Sequence, residues 1–100
     1  MNNEKKTGIE LIAIERNEQL AKHGRTVLDD NLTNQEYQLA IAAAKLLAYP
    51  ADVKDHAVPP KGWNVDVYKK MHSKPYAQRL IIAGALIAAE IDRLQFNEEK

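Results

Sequence analysis

Basic side chains close to aromatic rings are the residues of this sequence best suited to bind an anion. Residues 54–79 carry six basic and two acidic side chains, together with one tryptophan, two tyrosines and two histidines. This segment can receive a flat anionic ligand through charge and stacking, or it can be a solvated connector whose rings cover the core. In the first case the residues contacting the ligand are Trp63, Tyr68, Lys69, Lys70 and Arg79.

Arg16 is a second candidate, because it lies on the apolar face predicted for the first helix. That face is marked by Ile9, Ile12, Ala13 and Leu20. An unpaired buried charge is very costly, so Arg16 must reach water or a carboxylate. Glu90 is the predicted partner in a structural ion pair, and Asp29, Asp30 and Glu36 are the alternatives. Arg16 can also hold the phosphate or carboxylate of a ligand.

The carboxylates offer a weaker hypothesis, a magnesium site. Glu15 and Glu18 share one helix face and, with Glu90, supply the oxygen ligands that magnesium prefers. Glu90 and Asp92 project about 200° apart on a helix, so both cannot hold one ion. The three histidines lack paired helical spacing and cysteine is absent, so zinc is not predicted. We therefore expect no cofactor, with magnesium only if the protein is an enzyme.

Three helices must position these side chains, over residues 8–23, 34–49 and 75–96. Thr7 with Glu10, and Thr33 with Glu36, have capping-box spacing, and Pro75 suits a first helical turn. The loop 50–74 is long for a structureless connection, and "WNVDVYKKM" within it favours a short fourth helix. The sequence predicts an all-α fold, a small helical bundle forming a single domain over residues 1–100.

The third long helix contains more apolar surface than one chain can easily cover. Residues 80–89 are ten apolar residues in succession. An exposed face of this kind would form a patch that monomers seldom tolerate. We therefore expect a homo-oligomer, a dimer or higher, formed through helix 75–96; the alternative cover is the long loop, with Trp63 and Tyr68 folded back as a lid.

Composition and charge argue against nucleic acid and membranes as binding partners. Fourteen basic and fourteen acidic residues cancel, so no global field favours nucleic acid. The longest apolar run is half the roughly 20 residues needed to span a membrane. The first residues, "MNNEKKTG", lack the apolar core of an export signal. We expect a cytoplasmic protein with neither nucleic acid nor membrane as partner.

Several motifs resemble a family of small helical proteins encoded by bacteriophages and prophages. They are "IERNEQLAKHG", "DD" at 29–30, "EYQLAIAAA", "GW" at 62–63 and "AGALIAAEIDRL", which together span most of residues 10–94. The matched positions are Glu15, Arg16, Gln19, Asp29, Asp30, Glu36, Glu90 and Arg93. The chain departs from the pattern at Arg25, where the family has a tryptophan, and at Leu28, where it has a histidine.

The resemblance implies a small viral protein that acts in the cytoplasm of its host, and it adds Gln19 to the predicted ligand-binding residues. Two function classes follow. The first is a non-catalytic binder that sequesters a nucleotide-derived signal of host defence. The second is an enzyme similar to the all-α nucleoside triphosphate pyrophosphohydrolases, which use magnesium. A protein–protein interaction adaptor ranks third. We rank binding above catalysis, because the pyrophosphohydrolases use helix-borne acidic pairs, whereas Glu90 and Asp92 have the wrong spacing for such a pair and the middle helix lacks one.

Overall fold

A computed structural model describes residues 5–22, 34–48 and 58–98, which form four helices and no strand. The helices are α1 (Gly8–Lys22), α2 (Gln38–Ala48), α3 (Val65–His72) and α4 (Tyr76–Glu98). The predicted all-α class is confirmed, and so is a short helix within the segment predicted as loop. No helix in these ranges is long and apolar enough to cross a membrane.

The first helix begins where the capping box predicts. The backbone N–H of Thr7 donates to Glu10 Oε1 at 2.7 Å, and the backbone N–H of Glu10 donates to Thr7 Oγ1 at 3.2 Å. These bonds satisfy two of the amide groups that a helix start leaves unpaired. The hydrogen bond from the Thr7 backbone N–H, together with one from the Thr7 side chain, lowers the pKa of Glu10, because both favour the charged carboxylate. The predicted stop at Gly24 lies outside the described residues.

The start of the second helix was predicted wrongly. It begins at Gln38 instead of residue 34, because Tyr37 has a φ of +67°, a left-handed conformation that interrupts helical geometry. The Gln38 side chain accepts a hydrogen bond from the backbone N–H of Glu36 at 2.6 Å, within the turn that precedes the helix. Thr33 and Pro50, which mark the predicted start and end of this helix, lie outside the described residues.

A tight turn leads into the short helix α3. The N–H of Trp63 donates to the carbonyl of Pro60 at 3.1 Å, and Gly62 takes a φ of +84°, which a side chain would disfavour. Asn64 then caps α3 by accepting from the N–H of Val67 at 3.0 Å. Lys61 contacts Glu36 at 3.1 Å, which ties this turn to the segment before α2.

Helix α4 is the central element, and α1, α2 and α3 all pack against it. Alanines on both α2 and α4 belong to the core, and small side chains let helix axes approach closely. The core consists of Leu39, Ala42, Ala43, Leu46, Tyr68, Ile82, Ala83, Leu86 and Ala89. Gly84 serves the contact with α1, because a Cβ there would lie 2.5 Å from Ile12 Cδ1. The predicted close pairing of the second and third long helices is therefore present.

The buried face of α1 is only partly the predicted one. Arg16 is buried, as predicted, but Ile9 is 82% exposed, Ala13 is also exposed, and Gln19 is buried instead. The helix is rotated so that polar residues, with Ile12, face α4. With this rotation Arg16 can pair with a carboxylate on α4. An entirely apolar surface on α4 would have left its charge without a partner.

Part of α4 remains uncovered in the chain. Leu80, Ile87, Ile91 and Leu94 lie on one side of the helix and are 38% to 50% exposed. Tyr68 and Trp63 pack against the core cluster and not over these four residues. The predicted alternative cover, the long loop with Trp63 and Tyr68 folded back as a lid, is present only over the core cluster, and residues 49–57 of that loop lie outside the described residues. We call Leu80, Ile87, Ile91 and Leu94 the α4 stripe.

Candidate ligand-binding cleft

A cleft of about 450 Å³ lies between α1, α3 and the first half of α4. Half of its lining is apolar and comes from all three helices: Leu11, Ile14, Val67, Met71, Ile81 and Ile82. The other half is polar: Glu15, Glu18, Gln19, Lys70, Lys74 and Gln78. A volume of this size and a mixed lining are typical of small-molecule sites.

Charge is unevenly distributed around the cleft. Helix α1 contributes Glu15 and Glu18, whereas α3 and the turn after it contribute Lys70 and Lys74. Hydrogen-bond acceptors therefore come from one element and cations from another. A ligand with an anionic end and a donor-bearing end matches this arrangement better than a uniformly charged one.

Gln19 is the most deeply placed polar residue of the lining, with 1% of its surface exposed. Its Nε2 donates to Glu15 Oε2 at 3.3 Å. A carboxylate only accepts, so this bond fixes which end of the amide faces Glu15. The Gln19 Oε1 atom is buried and has no hydrogen-bond partner among the described residues. A buried acceptor without a partner is costly, and few folded proteins keep one without a reason.

Of the predicted ligand-binding residues, only Gln19 and Lys70 line the cleft. Arg16 does not, because its Nη2 donates to Asp92 Oδ2 at 3.3 Å. The predicted ion pair between Arg16 and Glu90 is therefore not the one that forms. Glu90 instead accepts two hydrogen bonds from Arg93, at 2.7 Å and 2.9 Å, in a buried bidentate pair.

The two aromatic residues predicted to stack on a ligand are used by the fold. Tyr68 is fully buried, and burial raises its pKa to about 12. Trp63 meets it edge to face, with ring centroids 6.3 Å apart, and donates its indole N–H to Asn34 Oδ1 at 2.8 Å. Neither ring lines the cleft. The prediction that both rings bind a ligand by stacking does not fit this placement.

Arg79 and Lys69 also lie elsewhere. Arg79 is buried, where its Nη1 donates to the carbonyl of Leu46 at 2.9 Å and its Nε to that of Lys74 at 3.1 Å. Arg79 also stacks over the ring of Tyr76, at 5.5 Å. It therefore joins the end of α2 to the start of α4. Lys69 is exposed and is not part of the cleft lining.

Two of the three predicted magnesium ligands lie together, and the third does not join them. Glu15 and Glu18 do line the same cleft, but the third predicted ligand, Glu90, is engaged by Arg93. Within residues 5–22, 34–48 and 58–98, no three acidic or histidine side chains are grouped as a metal site requires.

Sequence reasoning missed Lys74, Gln78 and the apolar lining of the cleft. The signal was present, because Lys70 and Lys74 are four residues apart, and Leu11, Ile14, Glu15 and Glu18 have the spacing of one helix face. The predicted buried face of α1, which includes Ile9 and Ala13, conflicts with this second face.

The described residues thus define an all-helical protein with a cleft that combines apolar, cationic and acceptor groups. Comparison of the chain with protein-family models, with curated proteins and with solved structures finds no match in any of the three. The function is therefore inferred from the chemistry of the cleft.

Proposed function

We propose that this chain is a non-catalytic small-ligand-binding protein whose cleft between α1, α3 and α4 takes an anionic, nucleotide-type molecule. The observation that carries the proposal is the joint lining of one cleft by Lys70, Lys74, Gln19 and six apolar side chains. A phosphate suits the two lysines, and a flat ring suits the apolar lining. In the phage setting implied by the sequence resemblance, such a protein would act by sequestering a nucleotide-derived signal of host defence in the cytoplasm.

The position of the charges favours one orientation of the ligand. Phosphate near Glu15 and Glu18 would be repelled, so the anion lies towards α3 and the turn that holds Lys74. The base then lies towards α1. Binding without catalysis is the simpler use of this cleft, because it requires no metal and no nucleophile.

The α4 stripe supports a second part of the proposal, a homo-oligomer formed through α4. Its four residues are spaced by seven, four and three positions, the spacing of a seam between two helices. A second copy of the chain is the occupant we propose, because a two-fold interface needs only one self-complementary patch. The stripe and the cleft share no residue, so a ligand could bind to the assembled form.

Ligand binding is tested by thermal melting and calorimetry with nucleoside mono- and triphosphates, cyclic nucleotides and ADP-ribose-type compounds. A ligand that binds only the folded protein must raise its melting temperature. The double variant Lys70→Ala/Lys74→Ala should abolish the shift, whereas the matched control Lys69→Ala, an exposed neighbour outside the cleft, should retain it. Ligand recovered intact after heat denaturation supports sequestration.

Two results would redirect the proposal. Release of pyrophosphate from a nucleoside triphosphate in the presence of magnesium would favour the pyrophosphohydrolase-type enzyme. If no compound raises the melting temperature, the ligand-binding proposal fails and the protein–protein adaptor becomes the better hypothesis.

The oligomer is tested separately by light scattering at micromolar concentration. Ile87→Glu places a charge in the α4 stripe and should reduce the mass to about 11 kDa, the mass of one chain. Ile9→Glu is the matched control, because Ile9 is exposed on α1. A wild-type protein that is already an 11 kDa monomer would contradict this part of the proposal.

A further inference from the structure

The α4 stripe is symmetric about Ile87. Leu80 lies seven residues before it and Leu94 seven residues after it, so the same type of side chain stands at both positions. All three side chains are exposed on one side of the helix. Two copies related by a two-fold axis at Ile87, with their α4 helices antiparallel, would bring each Leu80 to the partner's Leu94 and the two Ile87 side chains together. The stripe is therefore complementary to a reversed copy of itself.

The two ends of the stripe have complementary shapes. At the start of α4, the exposed ring of Tyr76 lies on the same side as Leu80, four residues later. Near the end of α4 the stripe opens into a shallow depression, which is lined by Ile91, Leu94, Gln95 and Asn97. When two α4 helices pair in opposite directions about Ile87, the ring of each copy reaches the depression of the other. In a parallel pair the two rings would meet, and the two depressions would enclose a void whose lining loses packing contacts.

We infer that two copies of the chain pair through antiparallel α4 helices, about a two-fold axis at Ile87, and that Tyr76 of each copy fills the depression at the end of the other. This inference rests on the oligomer part of the proposed function and adds the arrangement of the two copies. The charges at the helix ends favour it, because Lys74 precedes α4, and the described helix has no acidic residue in its first turn and no basic residue in its last. An antiparallel pair places the positive end of each helix dipole beside the negative end of the other.

Ile91, the fourth residue of the stripe, also has a place in this arrangement. It lies four residues after Ile87, so it faces the interval between Leu80 and Ile87 of the partner. Within that interval, the positions closest to the stripe are Ala83 and Gly84. Their small size leaves room for a large side chain, as a hole does for a knob between two packed helices. A parallel pair would instead set Ile91 against Ile91.

Disulfide cross-linking tests the arrangement, and the chain suits it because it contains no cysteine. Ile87→Cys should form a covalent dimer on its own under mild oxidation with diamide. Leu80→Cys and Leu94→Cys should each stay monomeric on a denaturing gel, but their mixture should form the covalent dimer. In the antiparallel pair the two residues 80 lie about 21 Å apart along the helices, whereas the Cα atoms of a disulfide lie within about 7 Å of each other.

Ile41→Cys on α2 is the matched control, because Ile41 is 40% exposed and Ile87 is 43% exposed. It measures cross-linking by random collision. Ile87→Cys should react at least about tenfold faster, because the two thiols of an assembled pair have a higher effective concentration. All of these positions are exposed, so the substitutions should leave the fold intact.

Rapid cross-linking of Leu80→Cys alone and of Leu94→Cys alone would overturn the antiparallel arrangement and leave the oligomer standing, since a parallel pair brings each residue to its own counterpart. An Ile41→Cys variant as reactive as Ile87→Cys would place the contact outside the α4 stripe and would also overturn the arrangement. A wild-type mass of one chain in light scattering would refute the oligomer, and the arrangement with it. The ligand-binding part of the proposed function does not depend on any of these results.

Discussion

Gly84 marks the closest approach of α1 to α4, and its replacement by alanine gives a quantitative test of that contact. A Cβ at Gly84 would lie 2.5 Å from Ile12 Cδ1 and 2.8 Å from Ile12 Cγ1, well inside the 3.5–4.0 Å optimum for carbon atoms. Rotation about χ2 of Ile12 moves Cδ1 but leaves Cγ1 in place. Moving Cγ1 requires a change of χ1, which is stiff for isoleucine in a helix.

Two effects of opposite sign decide the outcome. Alanine in a helix interior is favoured over glycine by about 1 kcal/mol. Overpacking of a close contact costs about 1–3 kcal/mol. Because both the Cγ1 and Cδ1 contacts are short, we expect Gly84→Ala to lower the free energy of unfolding by about 1 kcal/mol in total, within the range of these two effects.

The assay is urea unfolding of a double-mutant cycle that adds Ile12→Ala. Without the isoleucine side chain, Gly84→Ala should instead raise the free energy of unfolding by about 1 kcal/mol, since only the helix preference remains. The coupling between the two positions should therefore be about 2 kcal/mol. A stabilising Gly84→Ala in the wild-type background, or a coupling near zero, would refute the placement of α1 against α4.

Three further predictions concern individual contacts. Arg93→Met should lower the free energy of unfolding in urea by about 3 kcal/mol, because it leaves the buried Glu90 carboxylate without its partner, and adding Glu90→Leu should restore most of the loss. Thr7→Ala should raise the pKa of Glu10 in an NMR titration only part of the way to its ordinary value, because the backbone N–H, the larger cause, remains and only the hydroxyl is lost. Because folding lowers this pKa, the carboxylate stabilises the fold at neutral pH, and that contribution is lost as pH falls through the folded pKa. Tyr68 keeps its proton to a pKa of about 12 when folded, so stability should fall as pH rises from the ordinary tyrosine value of 10.0 towards 12, and Tyr68→Phe should make this decline smaller. A Glu10 pKa at its ordinary value in the folded wild type, or the same alkaline decline in Tyr68→Phe, would contradict these contacts.

The sequence predicted a helix start correctly where the start depends only on neighbouring residues. The Thr7 capping box fixed the start of α1, because its two hydrogen bonds involve only neighbouring residues. The same spacing at Thr33 and Glu36 predicted a helix start at residue 34, but the left-handed turn at Tyr37 delays the helix to Gln38. Sequence spacing cannot distinguish these outcomes, because Asn34 and Glu36, just before Tyr37, contact Trp63 and Lys61, which are distant in sequence.

The candidate site was less predictable, because it depends on how helices rotate about their axes. Arg16 looked like a ligand-binding or Glu90-pairing residue, yet the rotation of α1 brings it to Asp92. Tyr68 and Trp63 looked available for stacking because they stand in a polar segment, but the core of α2 and α4 needs them as cover. Lys70 was predicted from its charge. This property does not depend on how its helix is rotated, provided that the side chain stays exposed.

The most direct test of the central claim is the dissociation constant of AMP, IMP, CMP and UMP for three proteins: the wild type, Lys70→Ala/Lys74→Ala and Lys69→Ala. The proposed cleft predicts that at least one of these nucleotides binds to the wild type and to Lys69→Ala with the same constant, and that binding is lost in the double variant. Binding that is unaffected by the double variant, or weakened equally by Lys69→Ala, would contradict the assignment of the ligand to the cleft between α1, α3 and α4.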